Sequence, residues 1–262
     1  MTAKTLVVPL DGSEFAERAL PVAQAIVERI GGRLLLVSAQ YHGPLEPHAY
    51  LEECAALNDR CPVEVLATKE TYAAQIIDEA IRGGDDRVVC MTTHGRGRFR
   101  WAALGSVAED VIRRGDRPVL LVGRHCRPDF LERSSHLVAS ADGSDESDQL
   151  VPVARAWAEL LGLDLRVAVV VHPLDVESAE QSGTLLGAMA TKFGSALPAD
   201  ATMIRSSSPA AALADYAEEL PAALVAMNCH GRSGIGRFAL GSTTMSVLQL
   251  ASCPLVVTHR MA

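Results

Sequence analysis

The chain has 262 residues, of which 48% are hydrophobic, 21% charged and 4% aromatic, and its formal net charge is -8. That size holds either one large domain or two of about 130 residues. The acidic balance gives no general basic surface, which argues against nucleic acid as a partner, and no apolar run reaches the roughly 18–20 residues of a membrane span.

Residues 6–10 read as a short buried strand that ends at Asp11, Gly12 and Ser13. Residues 14–30 place Phe15, Ala19, Leu20, Val22, Ala23, Ile26, Val27 and Ile30 at helical spacing, which predicts one helix. Ser13, Glu14 and Glu17 supply its N-terminal cap and first-turn charge, and Gly31-Gly32 stops it. Residues 34–37 are a second buried strand, and 41–47 read as a loop. A helix follows over about 48–59, then a strand at 63–67. A further helix at 73–81 ends at Gly83-Gly84. A fourth strand at 88–91 runs into a glycine-bearing loop, a helix continues over 107–114, and 118–122 is a fifth strand. Such β-α-β alternation requires a mostly parallel sheet covered by helices.

The pattern then starts again. Residues 137–144 repeat the first strand with its Asp-Gly-Ser end, 152–161 repeat the first helix, 167–171 the second strand and 254–257 the fifth. Asp11 and Asp142 are 131 positions apart, whereas Gly95 and Gly231, like Gly105 and Gly241, are 136 apart. The second copy therefore gained about five residues, and they fall within 172–208. The boundaries read as a first domain at 1–125, a charged linker with Pro128 at 126–135 and a second domain at 136–262. The Ala-rich stretches 153–161 and 209–223 read as helix faces.

The central repeated stretch is Met91-Thr92-Thr93-His94-Gly95-Arg96 with Gly105-Ser106-Val107. Its second copy is Met227-Asn228-Cys229-His230-Gly231-Arg232 with Gly241-Ser242-Thr243. A strand, a glycine loop and a helix that starts at Gly-Ser present backbone N–H groups and a hydroxyl to an anion. Gly95 and Gly231 allow close approach of the backbone, Ser106 and Ser242 contribute hydroxyls, and Arg96 and Arg232 contribute charge. His94 and His230 lack a nucleophile or metal partner at catalytic spacing and read as loop-ordering residues. Asp142, Asp145, Glu146 and Asp148 read as a turn and an acidic first helical turn, not a metal site. No phosphate-binding G-x-x-x-x-G-K-[ST] loop, dinucleotide G-x-G-x-x-G after the first strand or G-x-S-x-G elbow occurs. The six cysteines form no C-x-x-C pair and read as small buried hydrophobes of a reducing compartment. Because the N-terminus runs at once into a strand without a signal peptide's apolar region, a cytoplasmic location is expected.

These residues carry a resemblance. The Val-Pro-Leu-Asp-Gly-Ser strand end, the His-Gly-Arg loop, the Gly-Ser helix start and the Pro-Val-Leu-Leu-Val last strand fall in the order of the universal stress protein family, twice. The resemblance implies two tandem open α/β sandwiches of the adenine-nucleotide α-hydrolase kind, each a five-stranded mostly parallel sheet flanked by helices. It implies an ATP-binding stress-response regulator or sensor with little or no turnover, with Mg2+ as the nucleotide's companion ion. The alternative is a nucleotide-free interaction module of the same fold. Asp11 and Asp142 would face the adenine or ribose, and the main chain at Ala39 and Val170 the adenine edge. Leu10, Met91, Val107, Ala141, Met227 and Thr243 complete the implied contact set. The family's phosphate pattern is Gly, two residues, Gly, nine residues, Gly, then Ser or Thr; here Thr92 and Asn228 stand at the first glycine. The resemblance also implies an intramolecular pseudo-dimer through the last strand of each copy, and further association of two chains.

Overall fold

The computed structural model describes residues 3–38, 45–67, 72–93, 104–132, 134–141, 147–174, 183–184, 186–188, 191, 199–229 and 240–258. The chain divides into two compact units, Met1–Val122 and Gly123–Ala262.

The first unit runs β1 (Thr5–Leu10), α1 (Glu14–Glu17), α2 (Ala19–Ile30), β2 (Arg33–Ser38), α3 (Pro47–Ala56), β3 (Val63–Leu66), α4 (Ala73–Arg82), β4 (Arg87–Thr92), α5 (Ser106–Arg114) and β5 (Val119–Val122). Its strands lie in the order β3-β2-β1-β4-β5, and every pair is parallel. β1 is buried along its whole length, as an inner strand covered on both faces must be. Leu6, Leu10, Leu34, Leu36, Ile26, Ile77 and Ile112 form the core between sheet and helices.

Residues 14–30 form two helices rather than the single one their spacing predicts. Arg18 separates them, and its amide donates to Phe15 O at 3.2 Å. Pro21 falls in the first turn of α2, where its missing N–H leaves no vacancy. Ser13 caps α1 as expected, accepting the Ala16 amide on Oγ. Gly31 ends α2 with φ 63°, the left-handed C-terminal geometry that favours glycine.

The second unit runs β6 (His136–Ser140), α6 (Ser147–Leu161), β7 (Asp164–Val171), β8 (Ala199–Arg205), α7 (Pro209–Glu219), β9 (Ala222–Asn228), α8 (Ser242–Leu250) and β10 (Leu255–Thr258). The order β10-β9-β6-β7-β8 repeats that of the first unit, again with parallel pairs. Gly162 repeats Gly31 with φ 64°. Trp157 stands in this core, 1% exposed, and its indole N–H finds no acceptor among the described residues.

The second copy's remaining strand, required by a five-stranded sheet but assigned no place in the sequence, is β8 within 172–208. It pairs in register with β7, and its residues from 201 to 204 are half-buried, so no buried apolar run announces it. One expectation needs correction here. The helix face expected over 209–223 ends at Glu219, because Pro221 cannot donate within a helix and Ala222 and Ala223 already belong to β9. Phe130 and Leu131 are buried, and the Arg127 amide donates to Ser252 O at 2.8 Å.

Candidate functional site

In each sheet the chain leaves the central strand in one direction and returns on the other side. The switch points therefore lie between β1 and β4 and between β6 and β9. Open parallel sheets bind ligands beyond the carboxyl ends of the strands at such a point. Leu10 and Asp11 stand at the end of β1, and Met91 and Thr92 at the end of β4. Ala141 stands just past β6, and Met227 and Asn228 end β9. Leu10, Met91, Thr92, Ala141 and Met227 are buried, while Asp11 and Asn228 are half-buried. Val170, near the end of β7, is half-buried as well.

Asp11 has a structural duty. Its Oδ1 accepts the Ser13 amide at 2.9 Å and the Ser13 hydroxyl at 2.6 Å, and Ser13 Oγ in turn accepts the Ala16 amide. This chain fixes the turn after β1 and holds the carboxylate at the mouth of the switch point.

The helix that follows the glycine loop is brought back against its strand in both copies. The Gly105 amide donates to Thr93 O at 2.8 Å, and the Gly241 amide to Cys229 O at 2.6 Å. Gly105 and Gly241 are the N-caps of α5 and α8, with φ -65° in both, and no side chain among the described residues caps either helix. Ser106 and Ser242 are exposed at the first helical position, Thr243 is exposed and Val107 half-buried. An uncapped helix start with its partial positive charge directed out of the sheet favours an anion. Helices α4 and α7 also lack a capping side chain, so the open end alone marks nothing. The distinguishing feature is its place beside the switch point, secured twice by the same backbone bond.

The first-glycine position differs between the copies. Thr92 is buried and lies opposite Val122 of β5, which carries no hydroxyl. Asn228 lies opposite Thr258 of β10, whose hydroxyl donates to Asn228 Oδ1 at 2.6 Å. Thr244 of α8 donates its hydroxyl to the Asn228 carbonyl at 3.0 Å. Thr258 and Thr244 are both buried. Neither was singled out from the sequence. Superposing the copies at the 136-residue offset, where Thr258 falls on Val122 and Thr244 on Ala108, would have exposed them.

The universal stress protein family pattern matches residues 44–123 and 135–259. The chain belongs to the universal stress protein family. A universal stress protein of Mycobacterium tuberculosis is 27% identical over 213 residues, covering 75% of this chain and 68% of its own. Among solved structures, a universal stress protein from Archaeoglobus fulgidus superposes with a TM-score of 0.69 at 18% identity, covering 99% of this chain and all of its own. A putative universal stress protein from Pseudomonas aeruginosa gives 0.66 at 16% identity, covering 98% and 93%. At such identities the superpositions speak for the fold alone.

Of the site residues expected for this universal stress protein, Ala39, Gly95, Arg96, Asp142, Gly231 and Arg232 lie outside the described residues, as do His94 and His230. Among the described residues no cluster of three or more His, Cys, Asp or Glu could hold a metal ion. No helix there is long and apolar enough to cross a membrane. A cavity of about 120 Å³ opens at the other end of the first sheet, lined by Thr5, Arg33, Glu64, Asp86 and Arg87 among others. Its charges are satisfied internally: Arg33 pairs with Glu64 at 3.1 Å, Thr5 donates to Asp86 and Arg87 to Ala80 O. Burial pushes the Cys90 and Cys253 thiols up, Cys253 to about 12, which leaves them protonated and inert.

Proposed function

We propose that this universal stress protein binds an adenine nucleotide, ATP, in both copies and acts as a stress-response regulator with little or no catalytic turnover. The supporting observation is the repeated apposition of an uncapped helix start at Gly105-Ser106 and Gly241-Ser242 with the carboxyl ends of β4 and β9, sealed by the Gly105 and Gly241 amides. A polyphosphate would take the N–H groups and the exposed Ser106 or Ser242 hydroxyl. Asp11, held by Ser13, would position the ribose or adenine side in the first copy. A carboxylate committed to a turn suits positioning rather than proton transfer, which supports binding without turnover. The residues therefore fit a nucleotide, and Mg2+ would enter with its phosphates rather than through a protein cage.

The test is an equilibrium titration with ATP. Saturable binding weakened by Ser106→Asp and by Ser242→Asp supports the proposal. Each substitution sets a carboxylate against the phosphates while keeping a residue that suits a first helical turn. No binding at millimolar ATP overturns it.

A further inference from the structure

The second copy puts asparagine where the family's phosphate pattern has glycine, and it surrounds that asparagine with hydroxyls that the first copy lacks. The sheet order makes the geometry informative. Strand β9 lies between β10 on one side and β6 on the other. The crevice expected to hold a ligand is on the β6 side, where the two halves of the sheet diverge. The Asn228 side chain turns the other way, with Oδ1 accepting from Thr258 of β10 at 2.6 Å. The neighbouring backbone is fixed as well: Cys229 N donates to Thr258 O at 2.9 Å and Thr244 Oγ1 to Asn228 O at 3.0 Å. Thr258 is 3% exposed and cannot easily exchange this bond for water. In the first copy the shorter Thr92 faces Val122, and no such hydroxyl is present.

We propose that Thr258 is a positioning residue for the second nucleotide site. Its hydroxyl latches the Asn228 side chain toward β10 and keeps it clear of the β6–β9 crevice, so a side chain is accommodated where the phosphate pattern calls for glycine. The first copy needs no latch because threonine is shorter. This inference rests on the nucleotide reading of the site.

The experiment measures ATP affinity in a Ser106→Asp background, so that the second copy dominates binding. Thr258→Val keeps the side-chain shape and removes the donor, and affinity is expected to fall about tenfold or more. Thr258→Ser keeps the donor and is expected to stay within about twofold of the parent. Adding Asn228→Gly to Thr258→Val removes the unlatched side chain, and affinity is expected to return to the parent value. Thr258→Val binding as tightly as the parent overturns the latch. So does a loss that Asn228→Gly leaves unrescued, since a merely structural role for Thr258 would not respond to that second change. A parent that binds no ATP in this background overturns the nucleotide reading of the second copy, and the latch with it.

Discussion

The Gly105 amide reaches back across the loop to donate to the Thr93 carbonyl at 2.8 Å. At φ -65° and ψ 147°, Gly105 has a backbone that any residue adopts, and Gly241, at φ -65° and ψ 157°, is the same. These glycines are therefore not required by backbone strain. What distinguishes them is the absence of a side chain at the helix start that faces the switch point. Gly105→Ala should lower stability by no more than about 1 kcal/mol, since alanine is a poorer N-cap than glycine while the backbone angles suit it. ATP affinity should fall at least about tenfold. Urea unfolding and an ATP titration on the same preparation separate the two effects; a large loss of stability contradicts this account.

Arg117 ties down the amino end of the first sheet. Its Nη1 donates to the carbonyls of Ile81, Gly84 and Arg87, and Nη2 pairs with Asp85 at 3.2 Å. Arg117→Ala leaves these carbonyls without that donor and should cost about 2–3 kcal/mol. Arg114 lies 3.9 Å from Asp110 with half its side chain exposed, so Arg114→Ala should stay within about 0.5 kcal/mol. Urea midpoints of the two variants test the contrast.

The buried thiols predict an alkaline weakness. Burial moves Cys253 from 9.0 to about 12 and raises Cys90 as well. Tyr50, desolvated and donating to Glu17 at 2.9 Å, is also raised. The folded chain keeps protons that the unfolded chain releases, so stability is full below pH 9 and falls as pH rises from about 9 toward 12. Unfolding midpoints across this window should slope downward, and less steeply in Cys253→Ala. At pH 8 a thiol reagent should label the half-buried Cys61 and Cys126 ahead of Cys54, Cys90, Cys229 and Cys253, all of them buried.

Trp157 carries a buried indole N–H without an acceptor among the described residues. Trp157→Phe removes that unsatisfied donor along with some volume. It should cost less than about 2 kcal/mol, well below the roughly 3–5 kcal/mol of a full truncation to alanine. In a Trp101→Phe background the emission of Trp157 should be blue-shifted and shielded from acrylamide. An exposed spectrum contradicts the burial.

Much of this fold was legible because its signals are local. The buried runs of β1, β2, β4 and β9 are continuous apolar stretches, Ser13 caps its own helix, and Gly31 and Gly162 end theirs in left-handed geometry. The Gly-Ser steps mark, in sequence alone, the starts of α5 and α8. The hidden features depend on partners distant in sequence or on weak burial. The break at Arg18 is a local change of backbone that apolar spacing does not register. Strand β8 is half-buried and carries no apolar run. The latch joins Thr258 to a residue 30 positions earlier, and Thr244 reaches one 16 positions earlier. Sequence alone shows the substitution at Asn228 but not the direction its side chain takes, and that direction decides whether it obstructs.

The central claim is one nucleotide site per copy, and binding stoichiometry tests it most directly. Isothermal titration of the intact chain with ATP should give two sites, one in Ser106→Asp, one in Ser242→Asp and none in the double variant. Unchanged saturable binding in the double variant, or no binding by the unaltered chain at millimolar ATP, would contradict it.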